Sequence, residues 1–358
     1  MLTVPETTTG LKPEFIAVVD KIYRQICNLQ PGTKVLIISD SRTPRHVVTV
    51  FMGLAMAMGA VVSASENFLA PPPADQPRFT WNPMLQAAAR EADLIVDFAV
   101  GYATFMAEAI ERGARVLSPG DGTGGHHIEE TLIRTMLDVD LDQIRREAVS
   151  IAQRFTEASV IHMTSEEGTD FTLNIKGLRG VASHEFLWDH EKNVKILDWA
   201  SLPPAAPGVV LPKFSGDGVV AADGFFLYSD VHQFPKSPVF LTFERGRIID
   251  IKGEDSLLTS KLKHWLNGIV EDTGRFGPVH FNLGLNARAR LNEHQEFEKL
   301  RGTITMGMGD SSLLARMWPS PVETVVSDVH WDFVVMRPTI KLDGEVICDR
   351  GIMPDFNE

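Results

Sequence analysis

The chain has 358 residues, 44% of them hydrophobic and 23% charged, a balance that suits a soluble globular protein of two domains or one large one. The net charge of −13, with no run of Lys or Arg, argues against nucleic acid or an anionic membrane as partner, because phosphate would be repelled. The two cysteines, Cys27 and Cys348, have no CxxC spacing, which excludes a disulfide framework or a Cys-rich zinc site and fits a reducing compartment.

The opening stretch MLTVPETTTGLKPEF has no basic region followed by an apolar core, so no signal peptide is expected. The longest apolar stretch, Val47 to Val62, contains two glycines and reads as a buried helix running into a strand, so neither a membrane span nor a membrane partner is expected. A cytoplasmic location is the expectation.

Residues 12–29 carry helical apolar spacing at Phe15, Val18, Val19, Ile22 and Ile26, then PGTK turns the chain into KVLIISD, a short apolar run typical of a buried parallel strand. A helix over Pro44–Met58, strand AVVSAS, a helix over Asn82–Ala92, strand ADLIVDFA, a helix over Ala103–Gly113 and strand RVLSPG follow. This alternation predicts an α/β, doubly wound parallel-sheet domain, assigned to residues 1–158 with two further helices near 127–138 and 140–157. From SVIHMTS onward the pattern changes. TDFTLNIKG, GDGVVAADGFFLYSD and PVFLTFERGRIIDIKG read as antiparallel strands with glycine-containing turns. SLPPAAPG (201–208) reads as a surface connection, and a helix is expected at 255–271. Residues 159–358 are thus expected to form an α+β, β-rich unit.

Chemistry concentrates near the C-terminus, in SDVHWDF (327–333). On an extended strand, residues i and i+2 share a face, so His330 and Asp332 project together while Trp331 and Phe333 point the other way. A further histidine, His280 in GPVHFNLGLN, lies on another predicted strand. Two imidazoles and a carboxylate are the ligand set of facial non-heme iron(II) sites, and the same set binds zinc for hydrolysis. An HxD pair on a strand is more often a surface or local ion pair. The earlier SDVH at 229–232 shows how readily the first half of the motif arises, because His232 has no carboxylate after it.

The blocks HFNLGLN, GTITMGMGDS, HWDF and LDGEVICDRG, in that order, resemble the thermophilic metal-dependent aminopeptidase family and its relative, the 2,5-dihydroxypyridine 5,6-dioxygenase family. The similarity is specific over about the last 80 residues and extends more weakly through 238–252 and EADLIVDFAVG. The peptidases hold two metals. Here His280 replaces one of their glutamates, Thr305 replaces a histidine, Ser312 stands at a tyrosine, and APGVVLP has no acid. The dioxygenase pattern is closer. The resemblance implies a mononuclear Fe(2+) site of His280, His330 and Asp332. The serine ligand of that family falls on Gly307, which leaves Thr305, Ser312 or water to complete the shell.

What the resemblance implies is an iron-dependent, extradiol-type ring-opening dioxygenase taking a small hydroxylated aromatic or pyridine and O2, and assembling as a homo-oligomer. For 2,5-dihydroxypyridine the product would be N-formylmaleamate. The family's base histidine falls on Ala103, so Tyr102 beside it, and His126 and His127 in GDGTGGHHIEE, are the candidates for acid/base work or substrate contact. For the two histidines, an exposed strand-to-helix loop is the plainer reading. Asn286, Arg288 and Arg290 could meet a carboxylate or a ring oxygen, although such arginines are more often in surface ion pairs. The alternatives are an aminopeptidase-like hydrolase and a non-catalytic binding protein on the same fold.

Overall fold

The computed structural model describes residues 12–68, 70, 71, 79–101, 103–119, 125, 127–228, 231–291, 295–312, 314 and 323–354. The first part of the chain alternates as its periodicity predicts: α1 (Pro13–Lys21), β1 (Lys34–Asp40), α2 (Arg45–Ala57), β2 (Val61–Asn67), α3 (Pro83–Glu91), β3 (Leu94–Asp97), α4 (Thr104–Glu111), β4 (Arg115–Ser118), α5 (Ile128–Met136) and α6 (Leu141–Glu157). Asn82 and Asp140 cap α3 and α6 by accepting from Met84 N and Gln143 N. All pairings in this first sheet are parallel. Separate apolar clusters cover its two faces, so the sheet is doubly wound.

The remaining strands are β5 (Val160–Thr164), β6 (Asp170–Asn174), β7 (Gly180–Val181), β8 (Trp188–Asp189), β9 (Val194–Lys195), β10 (Trp199–Ser201), β11 (Gly208–Val210), β12 (Asp217–Ala222), β13 (Phe226–Tyr228), β14 (Val231–Gln233), β15 (Val239–Glu244) and β16 (Arg247–Lys252). After α7 (Ser256–Asn267) come β17 (His280–Leu283), β18 (Ile304–Gly309), β19 (His330–Val335), β20 (Thr339–Leu342) and β21 (Glu345–Cys348). Fourteen of them form two seven-stranded antiparallel sheets, ordered β14-β13-β19-β18-β17-β11-β7 and β16-β15-β12-β6-β5-β20-β21, while β8 pairs with β9 and β10 joins the first sheet. One apolar core joins these sheets, with Phe281, Met306, Trp331 and Phe333 on one side and Ile161, Phe171, Leu241 and Ile340 on the other. The fold is therefore a doubly wound α/β unit followed by a β-rich α+β unit.

Three details differ from the sequence reading. SLPPAAPG is not a surface connection, because Leu202 through Pro207 are buried. This segment leaves the first sheet at β10, which pairs in parallel with β4, and enters the second sheet at β11. Prolines lack the N–H that a buried chain must otherwise pair, and the Pro204 carbonyl is satisfied by Asn286 Nδ2 at 2.6 Å. GDGVVAADGFFLYSD does not fold onto itself, since β12 joins one antiparallel sheet and β13 the other. Gly224 stands at that crossing, where an added Cβ would lie 2.7 Å from Val334 Cγ1. The helix expected at 255–271 ends at Asn267 and is followed by a 3-10 segment, Val270–Arg275.

Candidate metal centre

The site is built on the inner strands of the first antiparallel sheet. In β19 all six residues of HWDFVV are buried, so neither face is wet. Trp331, Phe333 and Val335 enter the core between the sheets, and Trp331 Nε1 donates to Gly274 O at 2.7 Å. His330 and Asp332 occupy the opposite face, as the period of two predicts. In β17, Phe281 and Leu283 take the core side and His280 the other. Register then aligns the pieces: His280 pairs with Gly307, and Gly307 pairs with Asp332. Directly paired residues share a face.

Across that row the side chains converge. His280 Nε2 lies 3.0 Å and His330 Nε2 3.6 Å from Asp332 Oδ1. The two imidazoles lie nearly parallel, with centroids 5.4 Å apart and an interplanar angle of 23°. One ligand atom from each of His280, His330 and Asp332 falls within 4.8 Å of the others. All three residues are buried. Donors about 2.1 Å from a common ion at right angles are roughly 3 Å apart, so the separations suit a shared cation.

Electrostatics point the same way. Burial pushes the Asp332 carboxyl upward, yet the imidazoles of His330 and His280 beside it hold it below the usual carboxylate range. Burial acts to lower the His330 imidazole, but the Asp332 charge and the bond to Asp310 outweigh it and raise it to about 9. The pocket demands positive charge near Asp332, which a proton on His330 supplies when no ion does. His330 Nδ1 lies 2.8 Å from the Asp310 carbonyl, the bond that fixes a liganding imidazole with Nε2 aimed at the ion. The Asp310 carboxylate in turn accepts from Ser312 N, Ser312 Oγ and Ser327 N, which holds that carbonyl in place.

The other expected residues fall into three groups. Thr305 lies on the site face two residues along β18 from Gly307, and its buried Oγ1 has no hydrogen-bond partner among the described residues. Ser312 gives its hydroxyl to Asp310 at 2.6 Å. His127 is exposed at the cap of α5, while Tyr102 and His126 lie outside the described residues. Asn286 is buried and donates to the Thr135 and Pro204 carbonyls, and Arg290 N donates to Glu296 Oε2. Gly307 and Asp310 are the residues that sequence reasoning undervalued. A Cβ on Gly307 would lie 2.0 Å from His280 Nε2, so the imidazole lies across the bare backbone. The signal for both was present in GMGDS, as glycines alternating with core methionines.

The fold and the cluster define a class of protein: a doubly wound sheet joined to a β-rich unit that buries two imidazoles and a carboxylate on two inner strands flanking a third. Residues 15–355 match the family model of 2,5-dihydroxypyridine 5,6-dioxygenase (NicX), and the chain belongs to that family. It is accordingly an enzyme of a dioxygenase family. The fold is that of 2,5-dihydroxypyridine dioxygenase from Pseudomonas putida KT2440, with a TM-score of 0.72 at 16% identity, covering 95% of this chain and 96% of that one. It is also that of AmpT from Thermus thermophilus, with a TM-score of 0.66 at 13% identity, covering 96% and 100%. No curated protein matches the chain by sequence. Among the described residues, no helix is long and apolar enough to cross a membrane.

Proposed function

We propose that the protein is a mononuclear iron(II) dioxygenase that opens the ring of 2,5-dihydroxypyridine, or of a similarly hydroxylated aromatic, with O2. The observation that carries this reading is the buried convergence of His280, His330 and Asp332, with a single carboxylate among them. A two-metal hydrolase would need more anionic ligands than this cluster offers among the described residues. Ferrous iron in such a site couples the oxidation of an electron-rich ring to O2, and both oxygen atoms enter the product.

The residues of the chain have separable tasks in this reading. His280, His330 and Asp332 hold the ion, and Asp332 supplies the anionic charge. Asp310, through its carbonyl, keeps His330 in the tautomer with a free Nε2 lone pair. Thr305 offers a buried hydroxyl on the same face, placed either to complete the shell or to meet a ring oxygen. Trp331, Phe333 and Phe281 close the sheet from behind, so water has no access from the core side. Tyr102, His126 and His127 are the candidates to take the proton from the ring hydroxyl.

Anaerobic purification with metal analysis and oxygen uptake tests the reading. One iron per chain and one O2 consumed per 2,5-dihydroxypyridine are expected, and His330→Ala or Asp332→Ala should lose both. Two zinc or cobalt ions with hydrolysis of a leucyl amide would establish the hydrolase instead. Independence of every measured property from metal would leave a binding protein.

A further inference from the structure

A cavity of about 430 Å3 wraps around the edge strand β7, between Arg145 and Val149 of α6, residues 189–198, and Val181 and Val210 of the site-bearing sheet. Two sets of observations connect it with the metal centre. The first is register. Val210 is the partner of His280, and Val181 is the partner of Gly208, which pairs with Asn282. Paired residues share a face, so this wall of the cavity and the His280–His330–Asp332 group lie on the same side of one sheet. Neighbouring strands are about 4.8 Å apart, so Val210 is one strand from His280 and roughly 10 Å from the Gly307 backbone beneath the imidazole.

The second is charge. Arg145 is committed, with Nη2 donating to Asp189 Oδ2 at 2.7 Å and its guanidinium over the Phe186 ring. Lys192 shares the same carboxylate at 4.0 Å, and Asp198 is taken by Lys195 at 2.5 Å. Arg179 also lines the cavity, is exposed, and has no hydrogen-bond or ion-pair partner among the described residues. His184, at the same wall, accepts from Phe186 N through Nδ1 at 3.0 Å, which leaves Nε2–H as a donor. The cavity therefore carries one uncommitted guanidinium and a neutral donor, while its carboxylates are already paired. A guanidinium fork matches a carboxylate in two parallel hydrogen bonds. On a chain of net charge −13, an anionic substrate needs such a local cation to be held at all.

We propose that this cavity is an anion subsite in which Arg179 pairs with a carboxylate carried by the hydroxylated ring that the His280–His330–Asp332 group acts on. The preferred substrates are then dihydroxylated pyridine or benzene carboxylates rather than the uncharged diols. The identity of the ring rests on the dioxygenase reading, whereas the pairing of cation and carboxylate is read out independently of it.

The test is anaerobic calorimetry with 2,5-dihydroxybenzoate and with its carboxamide, on wild-type protein and on Arg179→Gln, with metal content and oxygen uptake measured on the same preparations. The wild type should bind the carboxylate about 10- to 100-fold more tightly than the amide, as expected for a hydrogen-bonded charge pair. Arg179→Gln should remove that preference, leaving amide affinity, metal content and thermal midpoint as they were, and Arg179→Lys should restore part of it. Equal affinities in the wild type, or a preference that survives Arg179→Gln, would overturn the subsite. A preference that depends on Arg179 without any oxygen uptake would support the subsite and count against the dioxygenase reading. Metal-dependent uptake without any preference would do the reverse.

Discussion

At Gly307 an added Cβ would come within 2.0 Å of His280 Nε2, far inside any side-chain contact, so the imidazole occupies the space that a ligating side chain at this position would need. The resemblance places a serine there in related dioxygenases; in this chain His280 and a serine at 307 compete for one volume. Gly307→Ser should therefore displace His280 and weaken metal binding by about 10- to 100-fold, the range seen when ligand support is disturbed. Metal titration checks this, with circular dichroism confirming that the sheet remains, and a variant that bound metal as tightly as wild type would disprove the crowding. At the same scale, the HxD pair was legible because strand side chains alternate, and this follows from two residues on one chain. The contact between His280 and Gly307 was not legible, because the two residues are 27 positions apart in the sequence and meet only through the pairing of β17 with β18.

In β18 one strand serves two environments. Ile304, Met306 and Met308 fill the core between the sheets, while Thr305, Gly307 and Gly309 face the site. Met306→Ala should cost about 2–5 kcal/mol in urea unfolding, from lost burial plus a cavity. Thr305→Val, on the other face of the same strand, should leave stability unchanged or slightly raised, because its buried hydroxyl has no hydrogen-bond partner among the described residues to lose. Its effect should appear in turnover or metal affinity instead. A large loss of stability in Thr305→Val would mean that the hydroxyl is a structural group. Among the elements, the antiparallel character of the later strands was readable from their apolar runs and glycine-containing turns. The division of β12 and β13 between two sheets was not. Alternating apolar residues specify a half-buried strand, but they do not say which sheet supplies the partner.

Across the whole molecule, pH reaches stability through groups buried without charge. His184, far from the candidate metal ligands in the sequence, is held neutral by burial and by the nearby Arg145 guanidinium, against the pull of Asp189, with its pKa lowered to about 3. Unfolded, it would titrate near its ordinary value of about 6.5. Between those values the unfolded chain binds a proton that the native chain does not, so this contribution is intact above about pH 6.5 and falls as pH drops towards 3. The slope is about 1.4 kcal/mol per pH unit for this one group. His184→Asn, which keeps an acceptor for Phe186 N, should therefore lose stability less steeply than wild type over that window. Parallel slopes in urea titrations from pH 7 to 4 would refute the assignment. Taken alone, the sequence determined the alternation of strand and helix up to β4, the antiparallel character of the later strands, and the shared face of His330 and Asp332. These properties arise from periodicity along one segment. Only the tertiary structure decided that β10 returns to the first sheet, that SLPPAAPG is buried, that His280 meets the HxD pair across Gly307, and that a cation-lined cavity adjoins the same face. Each of those depends on which distant strands pair and in what register, and the free energy that selects a register belongs to the buried core as a whole.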